Sequence, residues 1–407
     1  TNNLKSFDNQ DKYVFHMYIK FQVFKLNIPN RGTESALTEL REKVLTQKAK
    51  SKKVAILALD ASAAFDVLDI DLVIKSLEVI GAGSVMLKWA TNYLHNCTQY
   101  VDINGTLSEQ WSCDVGVGQG KPMSVDFFNL GSLSNALWTT ISENILYADD
   151  GSDIIAGDTE EELNNNIKAT AILRSSWFDK AGLTLNAAKS ELIGFGVQPE
   201  PLVIEGSTIM PKTSFKFLGL TIDHDLKFHN HVDNIAKRMR SAAGRIRAEG
   251  RNLATNDRRI LFNGWVRSIL TSNGLAYLPH LCASQLQKVS AAYNAGIRAI
   301  YKLPKKGYAP IAELSKRLNI PSVEQIKDSL LFTEAWKRRH DLTKEYEGPI
   351  TRGRTNLNVP LPNKSGVNGK RLSTMVCDYW NRLPIHIKRE NDQVKAKREI
   401  KNMIYRS

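Results

Sequence analysis

Val54-Ala-Ile-Leu-Ala-Leu59 is six apolar residues in succession, and it stops on Asp60. A strand with one face in water alternates apolar and polar residues, so an unbroken run reads as a central strand covered on both faces. A carboxylate at the end of such a strand is costly to leave unpartnered. A second acidic pair lies about 90 residues on, where Asp149-Asp150 sits in a tight turn between Ile145-Leu-Tyr147 and Ser152–Ala156. Adjacent carboxylates repel each other, and burial raises the cost. A pair of hard divalent cations about 3.5–4 Å apart removes that cost and is a standard device for in-line phosphoryl transfer. Between the two acidic elements lies a Gly-rich turn containing Gln119 and Gly120. This order of elements is more informative than any one of them.

The charge is divided along the chain. Residues 1–226 carry 20 basic and 28 acidic side chains, and residues 227–407 carry 35 and 14, so −8 and +21 make up the net +13. A strongly basic second half points to a polyanion partner. Cys97, Cys113, Cys282 and Cys377 show no CxxC spacing, which argues against both a zinc module and a disulfide framework. His229 and His231 have no cysteine near them and read as a surface or interface pair. No apolar run approaches the ~18 residues of a membrane helix, and the polar N-terminus is not a signal peptide. The expectation is a reduced, intracellular protein with no membrane partner.

The coarse pattern is mixed. Thr33 reads as the N-cap of a helix with Ala36, Leu37, Leu40 and Val44 on one face. Residues 69–94 read as helical with a break at Gly81-Ala-Gly83, and Asn104-Gly105 marks a hairpin with Trp111–Val117 as the return strand. Glu160–Ala181 reads as an amphipathic helix, and Lys189–Phe195 and Phe215–Ile222 as strand-like runs. Beyond residue 230 the pattern is almost wholly helical, interrupted by a Pro/Gly/Asn-rich stretch at 348–372.

Five motifs follow one another in order: Leu59-Asp-Ala-Ser-Ala-Ala-Phe-Asp66, Gly116-Val-Gly-Gln-Gly-Lys-Pro-Met-Ser124, Tyr147-Ala-Asp-Asp150, Leu185-Asn186 with Lys189, and Phe217-Leu-Gly-Leu-Thr-Ile-Asp223 with Leu226 and His231. Trp380-Asn-Arg-Leu-Pro384 comes near the end. On these residues the chain resembles the reverse transcriptase of a non-LTR (LINE-type) retrotransposon. The resemblance implies an α+β fold, with a right-hand polymerase palm of antiparallel sheet and packed helices. A helical thumb and a basic C-terminal region would follow. The implied divisions are 1–226 (partial fingers and palm), 227–300 (thumb) and 301–407 (basic C-terminal region with its Pro/Gly/Asn-rich arm). It implies RNA-directed DNA synthesis from dNTPs on an RNA template and DNA primer, at a nuclear site of integration. Asp60, Asp149 and Asp150 would bind two Mg²⁺, with Mn²⁺ as an alternative. Phe65 would be the steric gate against a ribose 2′-hydroxyl, beside Ala61. Gln119 and Gly120 would line the nucleotide pocket, with Lys25 and Arg31 reaching the triphosphate. Lys189 would neutralise or protonate pyrophosphate. Phe217, Leu218 and Gly219 would set the primer end. Lys237, Arg238, Arg240, Arg245 and Arg247 would lie along the nucleic-acid backbone.

The chain departs from the family pattern at several positions. Gly118 replaces a usual Pro, Lys121 stands where Ser or Cys is common, Cys97 stands where a basic residue is frequent, and Val125-Asp126 puts an acid in an apolar helix. Gln22-Val-Phe-Lys25 resembles a degraded finger element, so the expectation is a copy with truncated fingers and no endonuclease domain. Two other readings compete. One is an RNA-dependent RNA polymerase, which shares the paired Asp. The other is a catalytically impaired nucleic-acid-binding remnant.

Overall fold

The computed structural model describes residues 32–95, 97–113, 115–118, 121–137, 142–147, 150–305, 307–344, 357–361 and 371–405. It divides into two compact units. The first holds 32–36 and 51–215, and the second holds 37–50 and 216–407. The units part at 215/216 rather than at the expected 226, and residues 37–50 belong with the second unit rather than the first.

The first unit is built on a four-stranded sheet of β1 (Lys53–Ala58), β2 (Glu143–Tyr147), β3 (Asp150–Gly157) and β4 (Glu191–Gly194), in the order β4-β1-β3-β2 with every pairing antiparallel. β1 is interior, and Val54, Ala55, Ile56 and Leu57 have no measurable exposure, as an unalternated apolar run requires. The helices Ile70–Val79 and Ser124–Leu137, together with α2 (Glu160–Lys180), contribute Val73, Leu77, Phe127, Phe128, Leu163, Ile167 and Trp177 to the core around it. α1 (Thr33–Ala49) crosses between the units near its start.

Local chemistry sets the element ends. The Asp69 carboxylate caps Ile70–Val79 by accepting from the backbone N–H of Asp71 at 2.7 Å and Leu72 at 3.3 Å. Thr159 caps α2, whose first turn carries Glu160, Glu161 and Glu162, the charge that a helix N-terminus favours. Asn104 and Gly105 both have positive φ (53° and 86°), the type I′ geometry expected of Asn-Gly, and join Asp102–Ile103 to Thr106–Leu107. The return strand is Trp111–Cys113 and pairs with Cys97–Gln99. Thr33 is the first helical residue rather than the cap: the Ser35 hydroxyl and the Gly32 backbone bond to each other in both directions. The strand-like run 215–222 is a hairpin, Ser214–Phe217 and Leu220–Asp223, turning at Leu218-Gly219.

The second unit is helical. α3 (His229–Glu249) buries His231, Val232, Ile235, Ala236, Met239, Ala242, Ala243 and Ile246, and packs along α4 (Ala283–Ile300). His231 is therefore a core residue, not the surface partner of His229. Burial, followed by the charge of Arg238, lowers its pKa to about 4. A second core joins α5 (Val323–Lys337), α6 (Leu372–Arg382) and α7 (Gln393–Tyr405) through Trp336, Trp380, Ala396 and Ile400. The Trp380-Asn381 pair acts here as a clamp. Trp380 Nε1 donates to Leu357 O at 2.6 Å, and the Asn381 amide binds both N–H and C=O of Val359 at 2.8 Å. Within this unit α1 also caps a helix far along the chain. The Glu42 carboxylate accepts from Leu372 N at 2.7 Å and from the Ser373 hydroxyl at 3.1 Å, at the start of α6, which has no capping side chain of its own. Among the described residues no helix is long and apolar enough to cross a membrane.

Candidate active site

Strand register puts the acidic residues at one end of the sheet. β1 and β3 set Leu57 opposite Asp153, and β1 and β4 set Ala58 opposite Glu191. Continued past the ladders by three residues and by two, these registers would set Asp60 level with Asp150 and with Lys189. The Lys189 ammonium lies 3.8 Å from Asp60 Oδ2, an oxygen that is itself shielded from solvent. Asp150 is the first residue of β3, paired with Tyr147 across the hairpin, and it is exposed. Asp149 lies outside the described residues.

A short network fixes the Asp60 backbone. Asp60 N donates to the hydroxyl of buried Ser190 at 3.1 Å, and that hydroxyl donates to Asn186 O at 2.8 Å. Asn186 N returns a bond to Asp60 O at 2.8 Å. The turn Leu185–Ser190 is thereby bound to the end of β1, and Ala61 beside it pairs with Leu185. Ser190 was missed by the sequence reading, because nothing in the spacing marks a serine that bonds backbone 130 residues away.

Phe65 occupies the one-turn helix Ala64–Val67, half-buried and stacked on Phe128 with ring centroids 4.3 Å apart and planes 17° apart. The Gly-rich turn closes on this helix: Gly116 N donates to Leu68 O at 2.9 Å and Val117 N to Phe65 O at 2.8 Å. Gly116 has φ +80°, and a Cβ there would meet Asp66 O at 2.4 Å, so only glycine permits this approach. The buried Ser124 hydroxyl bonds Val117 O at 2.6 Å and also Gly118 O. Asp126 sits in the first turn of its helix, where the dipole accommodates the charge that looked out of place in the sequence. Gln119 and Gly120 lie outside the described residues, as do Lys25 and Arg31.

In the second unit, Leu218 and Gly219 form the tip of the 214–223 hairpin with φ of 46° and 83°, and Asn273 Nδ2 donates to Leu218 O at 2.9 Å. A leucine in the left-handed region stores roughly 1–2 kcal/mol, the kind of strain that marks a position held for a purpose. Phe217 is buried under that tip. On α3, Lys237, Arg238 and Arg240 are exposed. Arg245 is committed to Glu249 at 3.3 Å and stacks over Trp265 at 4.4 Å. Arg247 turns inward to donate to Ala295 O at 3.4 Å, and burial together with Arg298 lowers its pKa. The five basic residues thus do not form a uniform outward row.

Asp60 and Asp150 are hard oxygen donors, the donor chemistry that suits a divalent cation such as Mg²⁺ or Mn²⁺. Among the described residues, which omit Asp149, no group of three or more His, Cys, Asp or Glu residues forms a ready metal site.

Residues 11–222 match the family described as reverse transcriptase (RNA-dependent DNA polymerase). A relative from Drosophila melanogaster, "Probable RNA-directed DNA polymerase from transposon X-element", is 23% identical over 282 residues. The aligned stretch takes in 66% of this chain and 30% of that relative. Apo telomerase from Candida tropicalis aligns with 75% of this chain and 50% of its own, at 14% identity and a TM-score of 0.43. Telomerase from Candida albicans in complex with a fragment of telomeric RNA aligns with 83% and 56%, at 13% identity and a TM-score of 0.37. The resemblance read from the ordered motifs is borne out by the family match and the transposon relative, and with it the α+β class. The chain belongs to the reverse transcriptase (RNA-dependent DNA polymerase) family.

Proposed function

We propose that this chain carries the polymerase core of a non-LTR (LINE-type) retrotransposon and extends a DNA primer on an RNA template from dNTPs. The observation that carries the reading is the register that brings Asp60, Asp150 and Lys189 to one end of one sheet. Asp60 and Asp150, with Asp149, would hold two divalent cations, Mg²⁺ in the cell. Such ions supply an activated primer hydroxyl and stabilisation of the leaving pyrophosphate. The protein's own part is positional. The Ser190–Asn186 network fixes the Asp60 backbone, so its carboxylate is aimed before substrate arrives. The Lys189 ammonium lies close enough to offset charge on a departing diphosphate. Phe65 is braced against Phe128, so its ring cannot give way to a ribose 2′-hydroxyl. That bracing favours DNA synthesis over the RNA polymerase reading. Lys237, Arg238 and Arg240 would hold backbone phosphates without sequence choice, at a nuclear target site.

The test is primer extension on an RNA template with Mg²⁺, comparing dNTPs with NTPs. Incorporation of dNTPs that is abolished by Asp150→Ala supports the reading, as does Phe65→Ala admitting NTPs. Unchanged incorporation in Asp150→Ala sinks it, and RNA affinity without any incorporation would leave the impaired-remnant reading in its place.

A further inference from the structure

We propose that Cys97 and Cys113 form a reversible disulfide. They are 16 positions apart in sequence, yet the ribbon Cys97–Gln99 and Trp111–Cys113 sets them directly opposite one another. Residues directly opposite in an antiparallel pair point to the same face, with Cα atoms roughly 4.5–5.5 Å apart. A disulfide needs Cα atoms about 4.4–6.8 Å apart, so the backbone already meets the requirement. Both residues are half-exposed free thiols, open to a small oxidant.

The two sulfurs have different surroundings. Cys97 Sγ accepts a hydrogen bond from the Lys121 ammonium at 2.8 Å and faces Tyr93 O at 3.1 Å. Among the described residues, Cys113 Sγ faces a distant carbonyl, Val115 O at 3.8 Å. Cys97, the sulfur with the ammonium against it, is assigned as the attacking thiol.

The reaction partner is a low-molecular-weight disulfide. The Cys97 sulfur, having given up its proton, bonds to one sulfur of that molecule and the other leaves as a thiolate. The Cys113 sulfur then loses its proton and displaces the remaining small thiol from Cys97. Two cysteine thiols are oxidised to one disulfide, and the small disulfide is reduced to two thiols that carry the released protons. Once Cys97 is bonded to Cys113, Lys121 loses its thiol acceptor. The ammonium then keeps only weaker contacts, over the Tyr93 ring at 5.5 Å and beside the Gly118 turn, where Lys121 Cε approaches to 3.1 Å of the position a Cβ would take.

The whole chain is equilibrated in reduced and oxidised glutathione at graded ratios, then trapped with an alkylating reagent and mapped by mass spectrometry without reduction. The expected product is one intramolecular 97–113 link, seen as loss of two hydrogen masses and reversed by dithiothreitol. Acylation of Lys121 by a limiting amine reagent should rise several-fold on oxidation. Cys97→Ser and Cys113→Ser should each abolish the link, and the Cys282→Ser/Cys377→Ser variant should retain it. Circular dichroism of the single variants checks that they fold. Separate glutathione adducts on both cysteines, a link through Cys282 or Cys377, or no link at any ratio would overturn the proposal. None of these readouts depends on polymerase activity, so this proposal and the preceding one fail independently.

Discussion

The buried ion pair between Asp153 and Arg174 offers a sharp test of what holds the catalytic sheet in place. Asp153 lies on β3, three residues after Asp150, and α2 brings Arg174 to it with Nε–Oδ2 at 2.7 Å and Nη2–Oδ1 at 2.6 Å. Their side chains are only 6% and 3% exposed, and the Ser142 hydroxyl donates to Asp153 Oδ1 at 2.9 Å. Arg174→Met removes two charge-assisted bonds and leaves a carboxylate buried with one hydroxyl in their place. Breaking such a pair from one side costs about 3–5 kcal/mol, most of it the stranded charge. Asp153→Leu takes from the buried guanidinium its carboxylate partner instead and should cost a similar amount. The double variant leaves no buried charge unpaired, and replacing a buried pair by apolar side chains of similar volume is often neutral or stabilising. The double variant should therefore unfold in urea within about 1 kcal/mol of the parent, far from the sum of the singles. If either single variant costs under about 1 kcal/mol, or if the two simply add, the pair is not desolvated as argued. The effect would then be that of a surface bridge.

Other expectations follow from particular contacts. Gly116→Ala must place its Cβ 2.4 Å from Asp66 O at φ +80°, so thermal unfolding should show a loss of at least ~2 kcal/mol. Gly105→Ala has a similar φ but open space around it, and should lose only about 1 kcal/mol. Glu42→Ala uncaps α6 and should lower the stability of the second unit by roughly 1–2 kcal/mol. Hydrogen exchange should locate that loss at the Leu372 amide and leave the first unit unchanged. His231, with its pKa lowered to about 4, is kept neutral by the fold, whereas the unfolded chain takes up a proton near 6.5. Its share of stability is therefore present at neutral pH and is lost as pH falls from about 6.5 towards 4. Between pH 7 and pH 5 this amounts to about 2 kcal/mol, and urea titrations of His231→Leu at the two pH values should lack that component.

Much of the first unit was legible because its signals are local. A short unalternated apolar run closed by an acid reads as an interior strand, Asn-Gly favours a I′ turn, and Thr159 followed by three glutamates starts a helix. The strand-like run at 215–222 misled because apolar periodicity does not show a reversal at Leu218-Gly219; a leucine at positive φ is a poor advertisement for a turn. The basic residues of α3 misled in another way. Spacing shows which residues share a face, but not that Arg247 is drawn inward to Ala295.

The cysteine pair shows where local reading ends. The turn pairs Asp102 with Leu107, and a plain continuation would set Cys97 opposite Ser112. Between the two ladders the return strand has one residue more than the outgoing strand, and this bulge moves Cys113 opposite Cys97. One residue of slip exchanges the faces of everything beyond it, which composition cannot reveal.

By itself the sequence determined the chemistry of the parts: the carboxylates, the Gly-rich turn, the aromatic Phe65 and the basic second half, because residue type and local spacing decide those. The tertiary structure alone decided their assembly. The sheet order β4-β1-β3-β2 brings Asp60, Asp150 and Lys189 together from three distant segments. Ser190 is recruited to hold one of them, and Glu42 is spent on a helix 330 positions away. These are pairings between segments far apart in the chain, fixed by which buried faces and unsatisfied backbone groups must meet, and no local pattern encodes them.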